Sequence, residues 1–187
     1  AVALLAARDI GGTFSFTAHA RDIYHTYVSA EVDAEKRRAK LREAAFAVTV
    51  SDFNAAHLRA LCPEVAARIH RLYNGIDLDL FSPGEAAVPG RILAVGRLVE
   101  KKGFAVLVQA CALLRDRGID FSCHIVGDGP LQGALTAQIA ELGLGPHVVL
   151  TGPMPQERLA VELGSAAIAT LPCVITPDGD RDGLPTV

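Results

Sequence analysis

The segment Gly96-Arg97-Leu98-Val99-Glu100-Lys101-Lys102-Gly103 sets an arginine and a lysine five positions apart where an apolar run gives way to a helical one. A pyrophosphate needs two or more fixed positive groups and backbone N–H donors, and a strand-to-helix turn bearing Arg97 and Lys102 supplies both. A solvated basic loop has the same composition, so the residues alone leave both readings open. His19, at the end of the run from Phe14, is either a hydrogen-bonding group at a strand end or a histidine satisfied near the core. Asp178-Gly179-Asp180-Arg181-Asp182-Gly183 gathers three acids in the spacing of half a calcium loop. Pro177 and Pro185 bracket it and no helix leads in, which argues against calcium.

Other motifs carry less. Asp77-Leu78-Asp79 and the acids before Gly183 spell DxD, read here as capping or hinge acids. Gly127-Asp128-Gly129 with Gly133 loosens the dinucleotide fingerprint by one residue, and no acid ends a following strand to hold a ribose. A tight turn is the better reading, with a dehydrogenase the lesser alternative. Lys36, Arg37, Arg38, Lys40 and Arg42 make a basic cluster among Glu31, Glu35 and Glu43, so a solvated helix face competes with an anionic membrane surface or a lipid-phosphate acceptor.

These residues need a scaffold, and the chain has the material for one. It has 187 residues, half of them hydrophobic, and a formal charge of -3, which disfavours nucleic acid as a partner. Cys62, Cys111, Cys123 and Cys173 form no CxxC pair, which fits reduced thiols and no zinc site. No run approaches the roughly 20 apolar residues of a membrane span, which leaves a cytoplasmic protein whose only membrane contact would be peripheral, at the inner face.

The pattern predicts strands at Phe14–His19, Phe46–Val50 and Ile69–Tyr73, with a polar helix over about 31–45 and another capped by Ser51-Asp52 and closed by Pro63. Residues 83–90 are rich enough in Pro and Gly to be a linker, separating a domain over 1–82 from one over 91–187. In the second, strands at Arg91–Val95, Phe121–Val126, Val148–Leu150 and Ala167–Leu171 alternate with helices at Phe104–Arg115, Leu131–Leu142 and Glu157–Leu163. Apolar strands without alternation, each followed by a helix, imply α/β architecture with a parallel sheet covered on both faces. The loops at Gly96, Gly127, Gly152 and Pro172 then share the rim where such sheets bind ligands.

The runs "FTAHARDIY", "YNGIDLDLFSP", "RILAVGRLVEKKGFAVLVQA", "CHIVGDGPLQGAL" and "VVLTGPMPQERL" resemble, in order, the motifs of family 4 glycosyltransferases of the bacterial exopolysaccharide and glycolipid type. The resemblance implies the GT-B fold, two Rossmann-like domains facing across a cleft, here both partial. It also implies a retaining transfer from a nucleotide diphosphate sugar to a glycan or lipid-linked acceptor, with no metal or other cofactor. Arg97 and Lys102 match the residues that grip the donor phosphates and stabilise the leaving diphosphate. His19 matches a cleft-facing histidine that positions the reacting sugar. Asp182, in Asp182-Gly183-Leu184-Pro185, matches the first acid of an E-x7-E pattern with Asp in place of Glu; the second acid would fall after Val187. Gly96 belongs to the phosphate loop, Gly152 and Met154 to the loop that meets the base, and Thr186 and Val187 to a helix start that could face the phosphates. An ordinary turn explains the last two pairs equally. A catalytically silent fragment with weak nucleotide binding is the alternative to an active enzyme.

Overall fold

A computed structural model describes residues 2–81 and 86–185, in two compact units. The first holds residues 2–75 together with 175–185: α1 (Val2–Asp9), β1 (Ser15–Ala18), α2 (Ala20–Tyr24), α3 (Ala30–Glu43), β2 (Phe46–Thr49), α4 (Asp52–Leu61) and β3 (Ile69–Arg71). Ser29 and Ser51 cap α3 and α4, their hydroxyls accepting the N–H groups of Val32 (3.3 Å) and Asn54 (3.2 Å). Pro63 opens a 3-10 turn directly after α4. The strands run parallel in the order β1-β2-β3. Ile23, Leu41, Leu58 and Ile69 form the core beneath them. The five-residue α2 was not foreseen, because one turn and a half shows no periodicity.

The second unit, residues 76–81 and 86–174, holds β4 (Val88–Val95), α5 (Phe104–Asp116), β5 (Ser122–Val126), α6 (Gln132–Glu141), β6 (Val148–Gly152), α7 (Gln156–Ser165) and β7 (Ala166–Thr170). All four strands are parallel, in the order β6-β5-β4-β7. Three consecutive β4 residues, Ile92, Leu93 and Ala94, are buried, so both faces of that strand are covered. On β7, an outermost strand among the described residues, Ile168 is 55% exposed.

The units depart from the expected domain limits in two places. Val88–Gly90, assigned by composition to a linker over 83–90, is strand: Val88 pairs with Ala166, and Gly90, at φ 72°, lets the backbone lie against the Asp120 carbonyl. Residues 175–185, expected in the second domain, pack on the first unit, where the Arg181 guanidinium lies 4.7 Å from the Tyr24 ring centre.

The chain leaves β4, builds β5 and β6 on one side, then returns to β7 on the other, so the topological switch lies between β4 and β7. Gly103 holds that point together. It adopts φ 67°, and a Cβ there would come within 1.9 Å of the Pro172 carbonyl oxygen, after β7. The Val174 N–H donates to the Lys101 carbonyl at 2.9 Å.

Gly103→Ala should destabilise the second unit by more than the about 1–3 kcal/mol that a left-handed backbone alone costs a non-glycine residue. Thermal unfolding would show a fall of about 4–8 °C per kcal/mol; an unchanged midpoint would contradict the close approach. In the first unit, hydrogen bonds from the Thr176 hydroxyl and the Asp180 N–H hold the Asp178 carboxyl below its usual range, with His25 adding to them. A lowered folded-state pKa stabilises above the unfolded value and is lost as pH falls through the folded one. Stability should therefore drop below about pH 3.9, and Asp178→Asn should lessen that drop in urea titrations at stepped pH.

Candidate functional site

Arg97 and Lys102 occupy the loop between β4 and α5, at the switch point. The Leu98 side chain, 1% exposed, anchors the loop in the core and leaves its neighbour Arg97 facing solvent. Arg97 makes no side-chain hydrogen bond or ion pair among the described residues, so its guanidinium has all its donors available. Lys102 ends a 3-10 turn, Glu100–Lys102, and its stem folds back over the loop: a Cβ on Gly96 would meet its Cδ and Cε at 3.3 Å. Beyond Gly103, α5 begins without a side-chain cap, its Val106 N–H donating to the Gly103 carbonyl at 3.0 Å.

The loop is stapled by backbone. Gly96 N–H donates to Val126 O (2.9 Å), Leu98 N–H to Asp128 O (2.7 Å) and Leu131 N–H to Leu98 O (3.1 Å). At Gly127 a Cβ would fall 2.0 Å from the Gly96 carbonyl oxygen, so the glycine pattern there serves close packing under the basic loop. Gly127 also donates to the Gly152 carbonyl at 3.0 Å. The loops at Gly96, Gly127, Gly152 and Pro172 thus occupy one rim. Gly152, at the end of β6, has its carbonyl engaged in this way, and Met154 beyond it is half-buried.

His19 and Asp182 lie in the first unit. His19 follows β1 and precedes α2 with an exposed side chain; its backbone N–H donates to Asp22 Oδ2 at 3.0 Å. Asp182 is half-buried in the segment packed against α2 and α4. Thr186 and Val187 lie outside the described residues.

The remaining motifs act locally. Asp77 Oδ1 accepts the N–H groups of Asp79 (3.0 Å) and Leu80 (3.2 Å), a turn cap. Much of the basic cluster is tied down: Arg37 donates to the carbonyls of Asp22 and His25, Arg38 to that of Leu61, Arg42 to Glu64, and the Lys40 ammonium sits 4.0 Å over the Phe16 ring. Arg42, foremost, holds the Glu64 carboxyl at a pKa of about 2. A cavity of about 340 Å³ in this unit is lined by Leu4, Asp22, Tyr27, Asp33, Lys36 and Arg37 among others, and by none of the candidate site residues. Among the described residues no three His, Cys, Asp or Glu side chains gather as a metal site would require, and no helix is long and apolar enough to cross a membrane.

Sequence reasoning missed Asn54, Tyr24 and Arg181. Asn54 is 0% exposed and accepts the Tyr24 hydroxyl at 2.8 Å, and nothing in the local sequence marks a buried asparagine.

Similar proteins give the arrangement its context. The chain is 42% identical over 97 residues to the amylovoran biosynthesis glycosyltransferase AmsK of Erwinia amylovora, covering 52% of this chain and 24% of that protein. It is 28% identical over 190 residues to the 2-deoxystreptamine glucosyltransferase of Streptomyces kanamyceticus, covering 91% and 49%. The crystal structure of Anabaena Alr3699/HepE in complex with UDP superposes with a TM-score of 0.74 at 18% identity, covering 94% of this chain and 50% of that one, which shows the shared GT-B fold. The chain therefore spans half or less of the length of these relatives. The family described as glycosyl transferases group 1 matches residues 77–186, across the β4 loop and the sheet that carries it, and the chain belongs to that family.

Proposed function

We propose that this chain carries the donor-handling machinery of a retaining glycosyltransferase that moves a sugar from a nucleotide diphosphate sugar to a glycan or lipid-linked acceptor. The observation that carries the reading is the stapled loop at the switch point of the second sheet, with Arg97 exposed and unpaired among the described residues and Lys102 folded over Gly96. Departure of the nucleoside diphosphate places growing negative charge on the phosphate oxygen that was bonded to the sugar. Cations and helix N–H groups already fixed there stabilise that charge without reorganising. With two side-chain cations supplying the countercharge, no metal is needed in this reading.

Retention follows, in this proposal, from attack on the face that the diphosphate leaves, the departing phosphate taking the acceptor's proton. His19 is assigned as a hydrogen-bond donor to the sugar and Asp182 as an acceptor for its hydroxyls. Gly152 and Met154 are assigned to the base. The relatives' names, amylovoran biosynthesis and glucosyl transfer, and the UDP in the Anabaena crystal structure support the donor class and the glycan acceptor. A cytoplasmic setting is part of the proposal, and peripheral contact at the inner membrane face accompanies a lipid-linked acceptor.

Arg97→Ala and Lys102→Ala should each lower sugar transfer by about 10²–10³-fold, the range for losing one preorganised charge-stabilising donor. Wild-type transfer by both variants would sink the assignment. His19→Ala should leave UDP or GDP affinity within about threefold while reducing transfer, since its contact is to the sugar rather than the diphosphate; calorimetric titration beside a turnover assay separates the two. Nucleotide binding with no transfer by the unaltered chain would favour the silent alternative.

A further inference from the structure

We infer that Asn54 is a positioning residue for Asp182: buried on α4, it forms the seat on which Gly183 closes, and so fixes the acid one residue earlier. The inference rests on the role proposed above for Asp182.

Gly183 is the starting point. It is not among the glycines with positive φ, so its backbone conformation does not demand glycine. Space does: a Cβ at this position would lie 2.6 Å from Asn54 Nδ2 and 3.0 Å from Oδ1. The amide therefore lies against the Gly183 backbone, and no side chain fits between them.

Asn54 cannot easily give way. It is 0% exposed, and its Oδ1 accepts the Tyr24 hydroxyl at 2.8 Å. Its Nδ2 has no hydrogen-bond partner among the described residues. Asparagine is mostly a surface residue, and a buried amide donor left unpaired costs stability. Tyr24 extends the seat on its other side, where the Arg181 guanidinium lies 4.7 Å from its ring centre. His25 Nδ1 approaches Asp178 Oδ2 at 3.3 Å, out of line for a hydrogen bond but close enough for attraction when the imidazole is charged. Asp182 thus sits between two held neighbours, Arg181 on Tyr24 and Gly183 on Asn54. Fixing both flanking residues limits the excursions of the carboxylate between them, as a group that must meet a sugar hydroxyl requires.

Two measurements test the seat. Gly183→Ala should speed amide hydrogen exchange in residues 178–183 by at least about tenfold and lower transfer from the nucleotide sugar. Adding Asn54→Ala removes the clash but also the seat, and should recover each readout by at least about threefold over Gly183→Ala without reaching wild type, a rescue that two unrelated injuries would not give. If Gly183 acts through Asp182, Gly183→Ala should cost Asp182→Asn no more than about a further twofold in transfer. The seat is overturned if the double variant is no better than Gly183→Ala, if exchange in Gly183→Ala matches wild type, or if the losses of Asp182→Asn and Gly183→Ala multiply. Exchange is read without nucleotide, so wild-type transfer by Arg97→Ala and Lys102→Ala would remove the proposed function while the seat stood or fell on exchange.

Discussion

Backbone lying directly on backbone at the carboxyl end of β4 is the constraint on which the rest of the second unit depends. A methyl group at Gly127 would overlap the Gly96 carbonyl, and one at Gly103 would overlap that of Pro172. These two approaches draw the loops after β4, β5 and β7 into a single rim. Hydrogen bonds from Gly96, Leu98, Leu131 and Val174 then hold the rim in one shape. Arg97 and Lys102 inherit that shape. A long flexible cation on a mobile loop loses much of its attraction to the entropy of ordering, whereas one on a stapled backbone has less left to lose.

The first unit repeats the device with different parts. Gly183 meets a side-chain amide rather than a carbonyl, and the contact joins residues 175–185 to α2 and α4. In both units a glycine marks where one chain segment comes too close to another for any side chain, and in both the neighbouring residue is a candidate for contact with the donor. A side chain's reach is limited by what lies beneath its backbone, so these close approaches also place the candidate residues beside them.

Much of the second unit was legible in its sequence. Ile92-Leu93-Ala94 and the runs ending at Val126 and Leu150 read as strands because a strand covered on both faces needs no polar alternation, and the structure places β4, β5 and β6 there. Ser51 announced α4 because a hydroxyl before a helix has one evident partner. Pro89-Gly90 misled: they look like a linker by composition, yet β4 runs through them as its pairing shifts between Val88 and Ile92. At the far end, Ile168 reads as core and is 55% exposed on β7, which pairs with β4 alone among the described residues.

The amino-acid sequence by itself determined the order of strands and helices, the separation of Arg97 from Lys102, and the family to which the chain belongs. Each is written in neighbouring residues, where periodicity and motif spacing operate. Tertiary structure alone decided that the glycines at 103 and 127 close a rim, that Asn54 is buried, and that the segment bearing Asp182 rests on the first unit rather than the second. Those facts belong to pairs of residues far apart in the chain, joined by space-filling, and no local pattern records which distant backbone a glycine makes room for.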